Sequence, residues 1–444
     1  MELTKGPIVR TILGLAIPIM ASSFLGTLYN ICDMAWVGTL GAKTVAGVGV
    51  GGMYMWLASG LAVLPKMGGQ VLTAQAIGAG QLEKARGYTR AAVQIVVLFG
   101  ILWGAMTLLF TRQLVGFFTL NDPVAETVAI NYLKITCGLI LFNYLNLALT
   151  GLFTANGDSK TPMIASFAGL ILNMILDPLL IIGPGFFPRM EAVGAAVATV
   201  ISQLVVSVIL ILKMRSKNLK AGSFADQNYL KPAEKETYEM IFKIGFPASV
   251  QATMYCFFSM VLTRFVSAFG AEAVAVARVG GQIESVSWNT GDGFSAAINS
   301  FCGQNYGGKK YDRIRKGYRF TLSTAFLWGV LVFICFVAFP GPISRVFFHE
   351  EQVVELLITY LIIVGFSEPF LLMEGVTSGA ISGLGKTKLC SVISTVFTGL
   401  RIPIAYILMH TALGLNGIWW TFTITSFIKA IIFVITFSRI KLEE

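Results

Sequence analysis

The sequence predicts an all-α membrane protein of twelve transmembrane helices arranged as two pseudo-symmetric six-helix lobes. Three observations predict it. Of 444 residues, 55% are hydrophobic and 13% charged, with a mean hydropathy of +0.74; a soluble domain carries about twice that charge. Apolar runs of ~20 residues, enough to cross a ~30 Å hydrocarbon core, recur along the whole length. The chain also repeats itself. Pro18 begins a stretch that returns at Pro247, 229 positions on, with Gly41-Ala42 echoed by Gly270-Ala271, Gly51-Gly52 by Gly280-Gly281, Gln75 by Gln304 and Gly78 by Gly307. Further on the offset becomes 228: Tyr132-Leu133 pairs with Tyr360-Leu361, Gly151 with Gly379 and Gly157 with Gly385. In transporters built from repeats, substrate and coupling ions bind at the junction of the copies.

In chain order the spans are expected at roughly 10–37, 44–68, 91–111, 129–153, 161–183, 191–213, 239–268, 273–301, 318–339, 354–379, 388–411 and 414–437. The polar start Met1 to Arg10 is followed by no signal-peptide cleavage pattern, so the first apolar run is expected to stay. The lobes are expected at 1–213 and 239–444, joined by a 214–238 linker. The net charge of +10 is not a nucleic-acid signature, because of where the charges fall. Twenty-two Lys and Arg, among them Lys84, Arg86, Lys217, Lys220, Lys310, Arg313 and Lys441, lie at the tails or in alternate loops; the opposite loops hold four, Lys43, Arg112, Arg189 and Arg345. That bias puts both termini and the linker in the cytoplasm of a prokaryotic inner membrane, with the basic loops against anionic lipid headgroups.

The six cysteines lie in or beside spans, with no metal spacing, and His349 and His410 sit at outer ends. No HExxH, Walker loop or GxSxG set is present, so neither an enzyme nor a cofactor is expected.

Departures between the copies carry more than their agreements. Asp33 in the first span is echoed by Leu262, Asn173 and Asp177 in the fifth by Arg401 and Ala405, and Asn146 in the fourth by Glu374. Asp33 and Asp177 are expected at similar depth in the outer half of the membrane, since both spans enter from the cytoplasm and rise ~1.5 Å per residue. Asn173 and Asp177, four apart, share a helix face; Thr199 enters the sixth span from outside at comparable depth. An ionisable group at membrane depth is costly and functional by default. Two carboxylates close together hold a proton or demand a cation, and this oxygen-rich set suits H⁺ or Na⁺ rather than zinc. Pro178 frees the carbonyl of Met174 as a further oxygen. Pro18 and Pro247 kink spans one and seven, which makes Pro18 a gating candidate.

In the second copy Glu284, Glu368 and Arg401 are expected near the midplane. Buried salt bridges with Arg401 are the favoured reading; the sharper one has Glu284 or Glu368 binding a cationic substrate or a second proton. Tyr29, Met53, Met254, Tyr255 and other aromatics and methionines gather in spans one, two, seven and eight, a composition that tolerates varied apolar ligands.

The two-copy layout resembles the multidrug and toxic compound extrusion (MATE) transporters over essentially the whole chain. The motifs are "IPIMASSFLGTLYNICDMAWVG" with Pro18 and Asp33, "GQVLTAQAIGAGQLEKAR" and its echo "CGQNYGGKKYDRIR", then "TANGDSKTPM", "NMILDP" and "GAAVAT". Asp33, Asn173, Asp177 and Thr199 look like the first-lobe cation site of the branch similar to DNA-damage-inducible protein F, with Asn146 a further carry-over. "GQIES", which holds Gln282 and Glu284, also looks like that branch. The acid that another branch places in the seventh span is Gln251 here, and Glu368 partly resembles the acid expected in the tenth. The resemblance implies an antiporter in which inward H⁺ or Na⁺ movement drives export of amphipathic, often cationic organic compounds; a monomer is the default expectation. The nearest rival is a lipid-linked oligosaccharide flippase of the same architecture, which would line its cleft with arginines such as Arg264, Arg278 and Arg401.

Overall fold

The structure is a computed structural model and describes residues 2–118, 122–183, 188–215, 224 and 228–442. Lys217 and Lys220 of the linker lie outside these. Sixteen helices and no strand occur among the described residues. The first copy comprises α1 (Ile8–Gly38), α2 (Ala42–Gly78), α3 (Leu82–Gly116), α4 (Pro123–Thr136), α5 (Leu141–Ala155), α6 (Lys160–Ile181) and α7 (Glu191–Met214). The second comprises α8 (Lys235–Ser267), α9 (Ala271–Gly307), α10 (Tyr311–Ala338), α11 (Pro340–Phe347), α12 (Glu351–Gly365), α13 (Glu368–Gly383), α14 (Thr387–Gly399), α15 (Arg401–Met409) and α16 (Leu415–Arg439).

Among the described residues nine spans are long and apolar enough to cross a membrane, α14 and α15 counting as one. Two bent pairs, α4 with α5 at 48° and α12 with α13 at 46°, bring the total to eleven. These are the fourth and tenth spans of the sequence reading, each broken at the same place in its copy. The remaining span is α9, 37 residues long, which carries Glu284 and Asp292 and is too polar to join the apolar set. Local chemistry sets the joints. Asp122 caps α4: its Oδ1 accepts from the amides of Val124 (2.8 Å) and Ala125 (3.2 Å), with Pro123 at the first helical position. The Lys43 ammonium beside it, then those amides, hold the Asp122 carboxyl below the usual carboxylate range. Gly41 and Gly270 precede α2 and α9 at φ 96° and 104°, a conformation open to glycine and closed to most side chains.

The chain divides into two compact units, Ala21–Ser249 and Glu2–Met20 with Val250–Glu444. These limits differ from the sequence halves. α1 changes unit two residues after Pro18, and α8 two residues after Pro247. The segment leading each copy is thus held by the other copy's unit. In the second unit Arg313 donates to the carbonyls of Leu3 (3.2 Å), Lys5 (2.8 Å) and Gly6 (2.7 Å), and Leu3 is fully buried with Ile12, Leu15, Phe301 and Phe433. In the first unit the amide of Gln94 donates to the carbonyls of Tyr229 and Lys231, both at 2.8 Å. The first unit's main cores gather Leu64, Val71, Ile95, Leu152 and Phe153, and Ala58, Val96, Leu133 and Tyr144.

Glycine fixes register identically in both units. A Cβ on Gly194 of α7 would stand 2.4 Å from the Leu180 carbonyl oxygen, and one on Gly417 of α16 2.6 Å from that of Leu408. Leu180 and Leu408 are themselves repeat partners, so α7 and α16 are aligned residue for residue from these contacts.

Candidate functional site

The first unit holds a buried carboxylate pair. Asp33, on α1, is 8% exposed; Asn173 and Asp177, on α6, are fully buried; Thr199, on α7, is 4% exposed. The i, i+4 spacing on α6 works as the sequence reading expects: the Asn173 amide donates to Asp177 Oδ1 at 3.0 Å. Asp33 lies within electrostatic reach of Asp177. The Tyr29 hydroxyl, one turn before Asp33, approaches the Thr199 hydroxyl without a well-formed hydrogen bond and feels both carboxylates. Asp33 Oδ1, Asp177 Oδ2, Asn173 Oδ1 and Thr199 Oγ1 are buried with no hydrogen-bond partner among the described residues. Neither carboxylate is in an ion pair with any described Lys or Arg. Several oxygens thus converge on one desolvated place with no positive charge to balance them, an arrangement that a proton or a hard monovalent cation completes. Among the described residues no group of three or more His, Cys, Asp or Glu side chains forms.

Tyr132 of α4 also belongs here. It is 5% exposed and within reach of Asp33, Tyr29 and Asp177. The sequence marked it only as a repeat partner of Tyr360. The structure supplies the reason: a Cβ on Gly51 would stand 2.5 Å from the Tyr132 ring, and one on Gly280 2.1 Å from the Tyr360 ring. Each unit seats a tyrosine on a bare patch of helix backbone.

Asn146 is placed otherwise. Its amide donates to the Gln203 carbonyl (2.9 Å) and its oxygen accepts from Ser207 (2.8 Å), so both ends are engaged with α7. Met53 is 42% exposed and Gln282 is exposed, whereas Met254 is half-buried. Pro18 lies inside the unbroken α1.

In the second unit Tyr360 donates to Glu284 Oε1. Glu368 is fully buried, both its oxygens lack a hydrogen-bond partner, and it lies within electrostatic reach of Glu284. Tyr255 packs its ring 6.0 Å from that of Trp288, beside the same group. The expected salt bridge to Arg401 is absent among the described residues. The Arg401 guanidinium instead donates to Thr425 (2.8 Å) and Ser426 (3.2 Å) and lies 4.9 Å over the Phe422 ring. The buried ion pair is Lys429–Glu374 at 2.7 Å, with Lys429 also 3.3 Å from Thr398. In the sequence Glu374 and Lys429 both fall somewhat deeper toward the cytoplasm than Arg401, a signal for Lys429 as the partner that the expected Arg401 bridge left unused.

Such a two-unit helical membrane protein, with an unbalanced acidic pair in one unit, has the build of a secondary transporter. The MatE family model matches the chain twice, over residues 18–179 and again over 247–407, and the chain belongs to that family. It is 29% identical over 424 residues to the "Probable multidrug resistance protein NorM" of Thermotoga maritima, covering 92% of this chain and 88% of that one. It is 23% identical to the multidrug export protein MepA of Staphylococcus aureus, covering 96% and 93%. A MATE transporter crystallised in a straight conformation superposes with a TM-score of 0.90 at 25% identity, over 99% of this chain and 97% of that one. The doubled family match coincides with the repeat read from the sequence.

Proposed function

We propose that this protein is a cation-coupled antiporter that exports amphipathic organic compounds, many of them cationic, across the cytoplasmic membrane of a prokaryote, with both termini in the cytoplasm. One observation carries the reading: Asp33 and Asp177 are desolvated together, with unpartnered oxygens around them and no basic residue to neutralise them. Such a pair holds H⁺ or Na⁺ in one conformation and releases it in another. A cation that favours one state and a substrate that favours the other are linked by that difference in affinity, so inward movement of the cation drives the substrate out. The multidrug relatives support the substrate class. Glu284 and Glu368 form a second acidic pair, suited to a second proton or to the positive charge of a substrate.

The test is efflux of ethidium from proteoliposomes under a pure pH gradient and then a pure Na⁺ gradient. One gradient is expected to drive efflux, and Asp33→Asn and Asp177→Asn each to abolish it while membrane insertion persists. Normal efflux from both variants refutes the reading. An oligosaccharide flippase would give no dye efflux under either gradient.

A further inference from the structure

The first unit contains a polar seam that the coupling site does not use. On α7, Thr199, Gln203 and Ser207 repeat every four residues and so share a face, with Ser202 beside them. Asn143 and Asn146 face this stripe's helix from α5, since Asn146 bonds both the Gln203 carbonyl and the Ser207 hydroxyl. From Thr199 to Ser207 the stripe descends ~12 Å at 1.5 Å per residue, away from the carboxylates. Its groups are under-satisfied. Ser202 Oγ (residue 1% exposed), Gln203 Oε1 and Asn143 Oδ1 are buried with no partner among the described residues. Hydroxyl and amide oxygens in a row, buried in a membrane helix pair and lacking protein partners, are expensive unless water or an ion attends them.

The second unit shows the same seam in another condition. With Gly194 aligned to Gly417, Ser202 matches Thr425, Gln203 matches Ser426 and Val206 matches Lys429; Asn146 matches Glu374 and Asn173 matches Arg401. The side-chain contacts agree with that register, since Val206 lies against Gly169 of α6 as Lys429 lies against Thr398 of α14. At these positions the second unit has the 2.7 Å Glu374–Lys429 ion pair, and Arg401 satisfies both Thr425 and Ser426. Where the second unit has an ion pair and a bonded arginine, the first has neutral polar side chains, several with unpartnered oxygens.

We propose that the α5–α7 seam of the first unit, from Thr199 past Ser202 and Gln203 to Ser207, is the hydrated passage by which the Asp33/Asp177 pair releases its cation to the cytoplasmic side, and that Glu374–Lys429 closes the corresponding seam of the second unit. This rests on the coupling role given to Asp33 and Asp177. The oxygens lining the seam suit Na⁺ or a hydrated proton.

Two experiments test it. In a background with the six native cysteines replaced, Ser202→Cys and Ser207→Cys are expected to react with a quaternary-ammonium methanethiosulfonate applied to the cytoplasmic face of inside-out vesicles, whereas Leu204→Cys, on the exposed side of α7, stays unlabelled. Absence of labelling at both seam positions overturns the proposal. Second, Asn146→Glu with Val206→Lys transplants the second unit's ion pair into the first. Gradient-driven ethidium efflux is expected to fall by about tenfold or more, with ethidium binding to the detergent-solubilised protein retained. Unchanged efflux overturns the seam alone, provided Asp33→Asn abolishes efflux; normal efflux from Asp33→Asn and Asp177→Asn overturns the coupling role and the seam with it. If the double variant does not fold, the labelling result decides.

Discussion

The two units share their joints and differ in their charges. Both place glycine at high positive φ before the second helix, both seat a tyrosine ring on a glycine of that helix, and both lock the sixth span to the fifth through a glycine on a leucine carbonyl. The last two are close approaches that a Cβ would obstruct, and the first is a backbone conformation that side chains rarely adopt, so duplication has kept them for geometry and packing. The buried charges follow no such rule. The first unit buries Asp33 and Asp177 with no base paired to them among the described residues; the second holds half-buried Glu284 and Glu374 and fully buried Glu368 together with buried Arg401 and Lys429. Glu374 has its counter-charge in Lys429, whereas Asp33 and Asp177 have none among the described residues. The exchangeable cation proposed above belongs to the first unit on that ground, and the sharpest experiments set the two places against each other.

The largest contrast is expected between Asp177→Asn and Lys429→Met. In the first unit, removing an unbalanced carboxylate relieves a desolvation cost, and the new amide can still meet Asn173. Asp177→Asn should leave the thermal midpoint in detergent unchanged or raised while abolishing cation-driven efflux. In the second unit, Lys429→Met strands Glu374, and breaking a buried pair costs about 3–5 kcal/mol. The double change of Glu374→Met with Lys429→Met should recover most of that loss, since replacing both partners by apolar groups is close to neutral. A single and a double variant of equal stability would show that the ion pair is not what holds α13 to α16.

Next in size are the tyrosine seats. Gly51→Ala and Gly280→Ala each force a methyl group against an aromatic ring, which should cost about 1–3 kcal/mol as overpacking does in a tight core. Gly280→Ala should be the worse of the two, its ring being nearer. It should also disturb Glu284, the acceptor of the Tyr360 hydroxyl. Equal midpoints for both alanine variants and the parent protein, measured by thermal unfolding in detergent, would mean the rings shift freely and the seats position nothing.

How much of this was legible in the sequence follows the same division. Spans and repeat were legible because both are written in composition and spacing: a ~20-residue apolar run has few uses outside a bilayer, and glycines such as Gly51/Gly280 and Gly151/Gly379 recur at offsets of 229 and 228. Asn173 and Asp177 were legible because a four-residue spacing fixes a common face. The bend between α4 and α5 was not, since no proline marks Gly138-Leu139; the one between α12 and α13 carried a signal that the sequence reading left unused, Pro369 in the first turn of α13. The partner of Glu374 was legible in part: Glu374 and Lys429 fall at similar depth, cytoplasmic of Arg401, and the bridge forms between those two. Asn146 is a case where residue type misleads, because an amide that glues helices and an amide that binds a cation look alike until its two ends are traced.

The smallest effect probes a place where the copies solve one turn with different residues. After α2 the chain turns through Gly80 at φ 73°; after α9 the matching residue is Lys309 at φ 56°. A left-handed conformation costs a side-chain-bearing residue ~1 kcal/mol or somewhat more, so the second unit tolerates strain that the first avoids. Lys309→Gly should remove most of that strain and lose part of it again to the greater freedom of glycine in the unfolded chain, a net stabilisation of ~1 kcal/mol or less. Gly80→Lys should destabilise by a similar amount. If Lys309→Gly instead lowers the thermal midpoint, Lys309 is held by a favourable contact of its ammonium, and the natural one is the anionic headgroup layer that the neighbouring Lys310, Arg315 and Lys316 would also face. Repeating the measurement in neutral and in anionic detergent mixtures separates the two: backbone strain is indifferent to the charge of the surroundings, whereas a headgroup contact weakens in the neutral mixture.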